Sequence, residues 1–291
     1  MKNILSILTI FVLLIGCSSP KEKEIIISTN QWIGYAPLFY AYDKGYLKKL
    51  NIKIINSVSL AEAADIYRVG KADMVTTTQH EYHSLMESTG DIKPIILLDR
   101  SNGGDMVLSN KSVEALLKSK NIKAYLEVDS INKEILEDFI ANNTLKLKNF
   151  TIINKDQQQI QGIRYTSKEP MVIVTYSPYN ISLQKRGFVE IASTKNIDSI
   201  IVIDALCAKE ELLKNDKHRL IQLKKILDKS IDEIQRNPKL SHQIVSKYIS
   251  NMSYSDYLES LKNIKWINKP SKKLINFISR YDYTEETLLI K

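Results

Sequence analysis

The sequence predicts an α/β protein of two lobes, joined by a hinge and closing on a ligand cleft between them. Three observations carry this. Once a leader-like N-terminus is set aside, about 270 residues remain, too many for one ordinary core and comfortable for two. From residue 24 to 205, β-branched runs alternate with helix-like runs, the pattern of βαβ units in parallel sheets covered by helices. A turn-rich quartet, Ser101-Asn102-Gly103-Gly104, divides that alternation into two blocks. Composition agrees, since 44% hydrophobic and 25% charged residues are the proportions of a folded chain. The formal charge of +8 is scattered among acids with no basic stripe interleaved with aromatics, which argues against nucleic acid as a partner.

Taken in order, residues 1–19 read as a leader. Lys2 precedes an apolar run over 4–15, which suits a signal h-region and is too short to span a bilayer, which takes ~20 residues. The run ends in Leu14-Ile15-Gly16-Cys17, followed by Ser18 and Ser19, and so resembles the lipobox of bacterial lipoproteins. That resemblance implies cleavage before Cys17, acylation of its thiol with a fatty chain such as palmitate, and a mature protein anchored to a membrane, facing the periplasm or the cell exterior. An ordinary secretory signal with an incidental cysteine is the alternative. With Cys17 acylated, Cys207 has no partner for an intrachain disulfide. It lies in Ile201-Val202-Ile203-Asp204-Ala205-Leu206-Cys207-Ala208, a strand-like run that reads as the site of a buried, inert thiol.

The first block opens with a strand over 24–28, a run of three isoleucines. A polar turn then leads into a short helix, with Pro37 in its first turn and Gly45 at the left-handed position after its last. Such a junction points free backbone amides above the strand's carboxyl end, where ligands bind in open α/β sheets. Phe39, Tyr42 and Tyr46 recur at helical spacing and are assigned to core packing. A strand over 52–58, a helix over 60–69, a strand over 73–77, a helix over 78–88 and a strand over 94–98 complete the block. The second block reads as strand 106–109, helix 112–118, strand 122–127, helix 131–142, strand 150–154, helix 157–163, strand 171–175, helix 178–185, and strands 188–192 and 199–205. From Lys209 on the chain reads as helical, and the helix over 217–236 puts Leu220, Leu223, Ile226, Leu227, Ile231 and Ile234 on one side. That face needs a sheet to cover, so the chain is expected to cross back near 194–199. The expected division is a signal over 1–16, a tether over 17–22, lobe one from 23–100 and 197–291, and lobe two over 101–196.

Trp32-Ile33-Gly34-Tyr35-Ala36-Pro37-Leu38-Phe39-Tyr40-Ala41, followed by Lys44-Gly45-Tyr46, resembles the first motif of periplasmic solute-binding proteins serving ABC importers. The branch is the one handling nitrate, sulfonates, taurine and thiamine-pyrimidine precursors. Val69-Gly70-Lys71-Ala72-Asp73-Met74 resembles its strand-start motif, and Ser101-Asn102-Gly103-Gly104-Asp105 its hinge segment. Thr175-Tyr176-Ser177-Pro178-Tyr179 resembles its helix start, and Ile234-Gln235-Arg236-Asn237-Pro238 its later turn. The resemblance spans nearly the whole mature chain. It implies a type II periplasmic-binding-protein fold, venus-flytrap closure around a small solute, a permease and its ATPase as partners, and the monomer that delivery requires.

Candidate contacts follow from where strands end. Trp32 and Tyr35, flanking the turn at Gly34, stack on a planar ligand or grip an apolar one; alternatively Trp32 staples the loop onto its lobe. Thr76, Thr77, Thr78 and Gln79 lie at a strand-to-helix junction, either meeting a polar ligand or serving as a strand end and helix cap. Tyr176, Ser177 and Tyr179 occupy the equivalent junction of lobe two, and Ser101 and Asn102 sit at a crossing. Where sulfonate-type members often place Gly-Ser or Ser-Ser at the second-lobe helix start, this chain has Glu127-Val128-Asp129-Ser130. A carboxylate there competes with an anionic ligand for the free amides. On one reading Asp129 is an N-cap beside Ser130; on the other Asp129 or Asp105 faces the cleft and favours an amine or protonated ring.

Signs of catalysis are few. His80-Glu81-Tyr82-His83 falls one residue short of H-E-x-x-H, and with no third ligand evident it reads as a solvated helix face. No G-x-S-x-G, Walker loop or G-x-G-x-x-G occurs. The expectation is a solute-binding lipoprotein of an ABC importer, without metal or cofactor and not an enzyme, for a sulfonate-, nitrate- or pyrimidine-like solute. A sensory or scaffold lipoprotein, or an enzyme on the same fold, are the alternatives.

Overall fold

The first block supplies β1 (Ile25–Asn30), β2 (Ile52–Ser57), β3 (Met74–Thr77) and β4 (Ile92–Ser101), and the second supplies β5 (Asp105–Ser109), β6 (Ile122–Leu126), β7 (Phe150–Asn154), β8 (Met171–Tyr176) and β9 (Val189–Ser193). The chain returns with β10 (Ile203–Lys209) and adds β11 (Ile264–Trp266). This computed structural model describes residues 22–195, 200–249, 252–281, 283 and 286–289. The leader, Cys17 and residues 196–199 of the expected crossing lie outside them.

Two sheets form, one ordered β11-β4-β10-β3-β1-β2 and the other β7-β6-β8-β5-β9, and each centres one lobe. The expectation of parallel sheets needs correction, because both are mixed. β1 runs parallel to β2 and β3, and β6 parallel to β7 and β8. β10, however, is antiparallel to β3 and β4, and β5 is antiparallel to β8 and β9. β4 passes almost straight into β5, and a strand that reaches a sheet without a crossover helix is free to run against its neighbours. β10 also begins later than the expected 199. The Gln79 side chain donates to the Ile201 carbonyl and accepts from the Ile203 amide, so 201–203 turn around that amide before the ladder starts. β11 falls in a stretch read as helical; it is a three-residue edge strand on β4, held by its Trp266 indole donating to the Gly34 carbonyl at 2.8 Å.

Five helices position the site. α1 (Ala36–Asp43) carries Pro37 in its first turn and is followed by Gly45 at φ +72°, a left-handed residue that a side chain would strain. α2 (Leu60–Arg68) is capped by Ser59, α3 (Gln79–Thr89) by Thr78 and α4 (Ile131–Asn142) by Ser130. α5 (Lys217–Arg236) buries Leu220, Leu223, Leu227, Ile231 and Ile234. That face meets α1 as well as β4, so helix packing covers much of what was expected to need a sheet. Phe39 is fully buried, and Tyr42 and Tyr46 pack on the core's rim. Among the described residues no helix is long and apolar enough to cross a membrane.

Candidate functional site

The turn after β1 carries the lobe-one wall. Trp32 is only 4% exposed, and its indole N–H donates to both oxygens of Asp99, at 3.1 and 3.3 Å. Tyr35, three residues further on, donates its hydroxyl to Asp204 Oδ1 at 2.5 Å. Asp99 and Asp204 face each other in the β4–β10 register, so the turn is tied to a pair of carboxyls on adjacent strands. Gly34 is required there: a Cβ would lie 2.1 Å from Asp99 Oδ2 and 2.3 Å from the Trp32 indole nitrogen. Gly104 meets the same ring from the crossing, since its Cβ would fall 2.3 Å from Trp32.

The threonine junction spends most of its polar groups inside lobe one. Thr76 donates to the Thr29 hydroxyl at 3.0 Å, Thr77 lies 3.3 Å from Cys207 Sγ, and Gln79 braces β10. Thr78 caps α3 and forms a capping box with Glu81, whose Oε2 accepts the Thr78 amide at 3.0 Å and its hydroxyl. The other carboxylate oxygen of Glu81 crosses the cleft to accept the Ile131 amide at 3.0 Å. The first turn of α4 is therefore supplied with a carboxylate from the opposite lobe. Asp129 is exposed and does not cap α4, a role that Ser130 takes by accepting from the Asn132 amide at 3.2 Å.

Lobe two reaches back through its aromatics. Tyr176 accepts from the Asn30 amide group at 3.0 Å and packs T-shaped against Trp32, the centroids 5.7 Å apart at 85°. Tyr179 donates to Gln31 Oε1 or the Val58 carbonyl, both at 3.3 Å. Ser177 donates its amide to the Gly104 carbonyl, while its buried hydroxyl has no partner. At the crossing, Ser101 and Thr194 share a hydroxyl contact of 2.7 Å, and the Asp105 amide donates to Ser101 Oγ. Asn102 joins the crossing to lobe one by donating its amide to the Asn263 carbonyl.

Between these walls lies a cavity of about 10 Å³, lined by Trp32, Leu60, Thr78, Asp105, Tyr176, Val202 and Asp204. Its electrostatics are one-sided. Burial pushes the Asp105 carboxyl up to about 7 and Asp99 up to about 8; burial also raises Asp204 well above the usual range, and Asp99 beside it adds to the rise. Burial lifts Glu127, behind Tyr176 and Tyr179, to about 8. Among the described residues, no lysine, arginine or histidine forms an ion pair with Asp99, Asp105, Asp204, Glu81 or Glu127. Carrying an unpaired carboxylate out of water costs several kcal/mol, which is why these groups hold their protons so tightly.

Of the residues singled out in the sequence, Trp32, Thr78 and Tyr176 meet at the cavity, with Gly34, Tyr35 and Tyr179 directly behind or beside them. Ser101, Asn102 and Ser177 sit at the crossing, Ser130 at the α4 cap, and Thr76, Thr77 and Gln79 in lobe one. Asp99, Asp204 and Asn30 were not singled out, and Glu81, read with His80 and His83 as part of a solvated helix face, is buried instead, because its carboxylate serves Thr78 and Ile131. Two of them leave a trace in the sequence: Asp204 interrupts an otherwise apolar strand, and Thr78-x-x-Glu81 is the spacing of a capping box. No group of three or more His, Cys, Asp or Glu among the described residues is arranged to hold a metal ion.

Comparison with solved structures shows the fold to be that of periplasmic binding proteins. The alkanesulfonate-binding protein SsuA from Xanthomonas axonopodis pv. citri, bound to MOPS, is similar with a TM-score of 0.71 at 10% identity over 94% of this chain and 98% of that one. The periplasmic aliphatic sulphonate binding protein SsuA of Escherichia coli gives 0.71 at 11% identity over 90% and 91%. A ligand-binding component of an ABC-type import system from Staphylococcus aureus, with zinc bound, gives 0.69 at 13% identity over 90% and 92%. No curated protein matches the chain in sequence. The NMT1/THI5-like family model matches residues 32–241, from the Trp32 turn through the long helix α5, and the chain belongs to that family.

Proposed function

We propose that the chain is the solute-binding component of an ABC importer, a binding protein rather than an enzyme, which takes a small molecule between its lobes and hands it to a membrane permease. The observation that supports this most directly is the seam between the lobes, where Trp32, Thr78 and Asp204 of lobe one meet Asp105 and Tyr176 of lobe two around a void of water size, which a solute enters when the lobes part. The lobes divide as 23–100 with 197–291, and 101–196. The Ser101–Thr194 contact sits where the crossings meet, and flexing there opens and closes the cleft. The sharing of this fold with an import-system component and with sulfonate binders fits the same role. The lipobox-like run ending in Cys17 adds a signal peptide and a lipid anchor, which hold a monomer at the outer face of a membrane close to its permease.

The test is to purify the full-length protein from its own cells in mild detergent without denaturation, extract it with acid, and identify released small molecules by mass spectrometry. One intact solute per protein, whose return shrinks the radius of gyration in solution scattering, is the expected result. Chemical turnover of that solute by the protein, or absence of any bound molecule, sinks the reading.

A further inference from the structure

The chemistry of the cleft specifies the charge of its ligand, an inference that rests on the solute-binding reading above. An anion finds no positive charge there among the described residues. The amide end of α4, the point in lobe two best suited to an anion, is already occupied by the Glu81 carboxylate of lobe one. Any anion in the cavity would face Asp105 and Asp204 in its lining, with Asp99 directly behind Trp32, and no neutralising cation among the described residues.

A cation finds each of the groups it needs. Asp105 is 4% exposed, lines the cavity, and has a carboxylate oxygen, Oδ2, with no hydrogen-bond partner. Asp204 lies across from it, with Oδ1 taking the Tyr35 hydroxyl. Trp32 and Tyr176 supply aromatic walls set edge to face. The indole of Trp32 is held in place by donating to both oxygens of Asp99, and an aromatic ring of this kind attracts positive charge. The carboxyls are not arranged as metal ligands, so the charge is one carried on an organic body that spans them.

We propose that the solute is a small organic cation, an ammonium or a protonated nitrogen ring, whose charge is held by Asp105 and Asp204 beside Trp32 and Tyr176. The fold is shared with sulfonate binders, but this cleft sets carboxyls, and no cation among the described residues, where a sulfonate would need positive charge.

The test is calorimetric titration of the full-length protein in mild detergent at pH 8 with choline, ethanolamine and putrescine chlorides. Sodium ethanesulfonate, sodium nitrate and zinc chloride form the opposing set. Saturable binding of an ammonium probe is expected, weakened at least tenfold in both Asp105→Asn and Asp204→Asn. Both variants replace a buried acid with a neutral group of the same shape, so they should melt no lower than the parent, which separates lost binding from lost folding. Binding of ethanesulfonate or nitrate in place of the ammonium probes overturns the proposal and leaves the importer reading standing, and so does binding of zinc alone. Binding by none of the ammonium probes also overturns it; if acid extraction then yields no bound molecule, the importer reading falls with it.

Discussion

The carboxylate of Glu81 accepts the backbone N–H of Ile131 at 3.0 Å while completing the capping box of its own helix, so one side chain serves the first turns of two helices in different lobes. A second contact, His80 Nδ1 to Glu134 Oε1 at 2.6 Å, spans the same gap one residue away. The two lobes are therefore tied together at the start of α3.

Glu81→Gln keeps the shape but offers one acceptor oxygen where two are in use, so either Thr78 or Ile131 loses its partner. We expect a loss of ~1–3 kcal/mol in urea denaturation. Solution scattering should show a larger radius of gyration at the same time. A variant as stable and as compact as the parent would mean that the Ile131 contact contributes nothing to closure.

Stability should fall as pH rises. Asp99, Asp105 and Glu127 hold protons up to about 8, about 7 and about 8 when folded, and Asp204 is shifted the same way, whereas unfolded carboxyls titrate near ~4. A carboxyl with a raised folded value contributes most below its unfolded value, and that contribution is lost as pH climbs through the folded one. His80 acts in the same sense, because its hydrogen bond to Glu134 raises its value and the pair weakens as the imidazole loses its proton. The melting temperature should be higher at pH 5 than at pH 8, with the difference reduced in Asp99→Asn. A melting temperature that rises over that range contradicts the account.

Affinity for an ammonium ligand should move the other way. Asp105 and Asp204 face the cavity from β5 and β10, Asp99 backs it from β4, Glu81 from α3 and Glu127 from the end of β6, with Tyr35, Tyr176 and Tyr179 as the neighbouring phenols. A cation binds the ionised carboxylates and expels their protons, so binding should tighten by up to ~tenfold per pH unit for each proton released between pH 6 and 8. Calorimetry in buffers of different ionisation enthalpy reads that proton release directly.

Gly34→Ala should be costly although only a methyl is added. The methyl would collide with Asp99 Oδ2 and the Trp32 indole nitrogen, so the hydrogen bond between them must break or the turn must shift. A loss of ~1–3 kcal/mol is expected, with a changed tryptophan emission spectrum in the folded state. Unchanged emission and stability would show that the turn yields freely.

Cys207 should resist alkylation in the folded protein. Its thiol is fully buried on β10, and burial pushes it up to about 12, which leaves almost no thiolate at neutral pH. Iodoacetamide should label this position only in denaturant; rapid labelling of native protein would place the thiol at the surface.

The local elements were legible because their signals are local. The helix of α5 spans the 217–236 read from its apolar spacing, and α4 spans 131–142, each set by contacts within a few residues. The strand register of β10 was not, because the Gln79 side chain that delays it comes from a distant part of the chain. β11 is only three residues long and is defined by Ser101, Arg100 and Asp99 across the ladder, with no periodicity of its own. At the site, Trp32, Thr78 and Tyr176 stood at strand ends and were found that way. Asp99 is not legible, because nothing beside it in the sequence shows that the Trp32 indole binds it.

By itself the sequence determined the alternating elements, the turn between β1 and α1, the signal-like N-terminus and the family motifs. Each of these depends on residues within a few positions of one another. Only the tertiary structure decided that the cleft is acidic, because charge balance depends on which strands become neighbours. β10 enters between β3 and β4 in the antiparallel sense, which sets Asp204 opposite Asp99; the crossing into β5 brings Asp105 to the same cavity, and no cation among the described residues accompanies them.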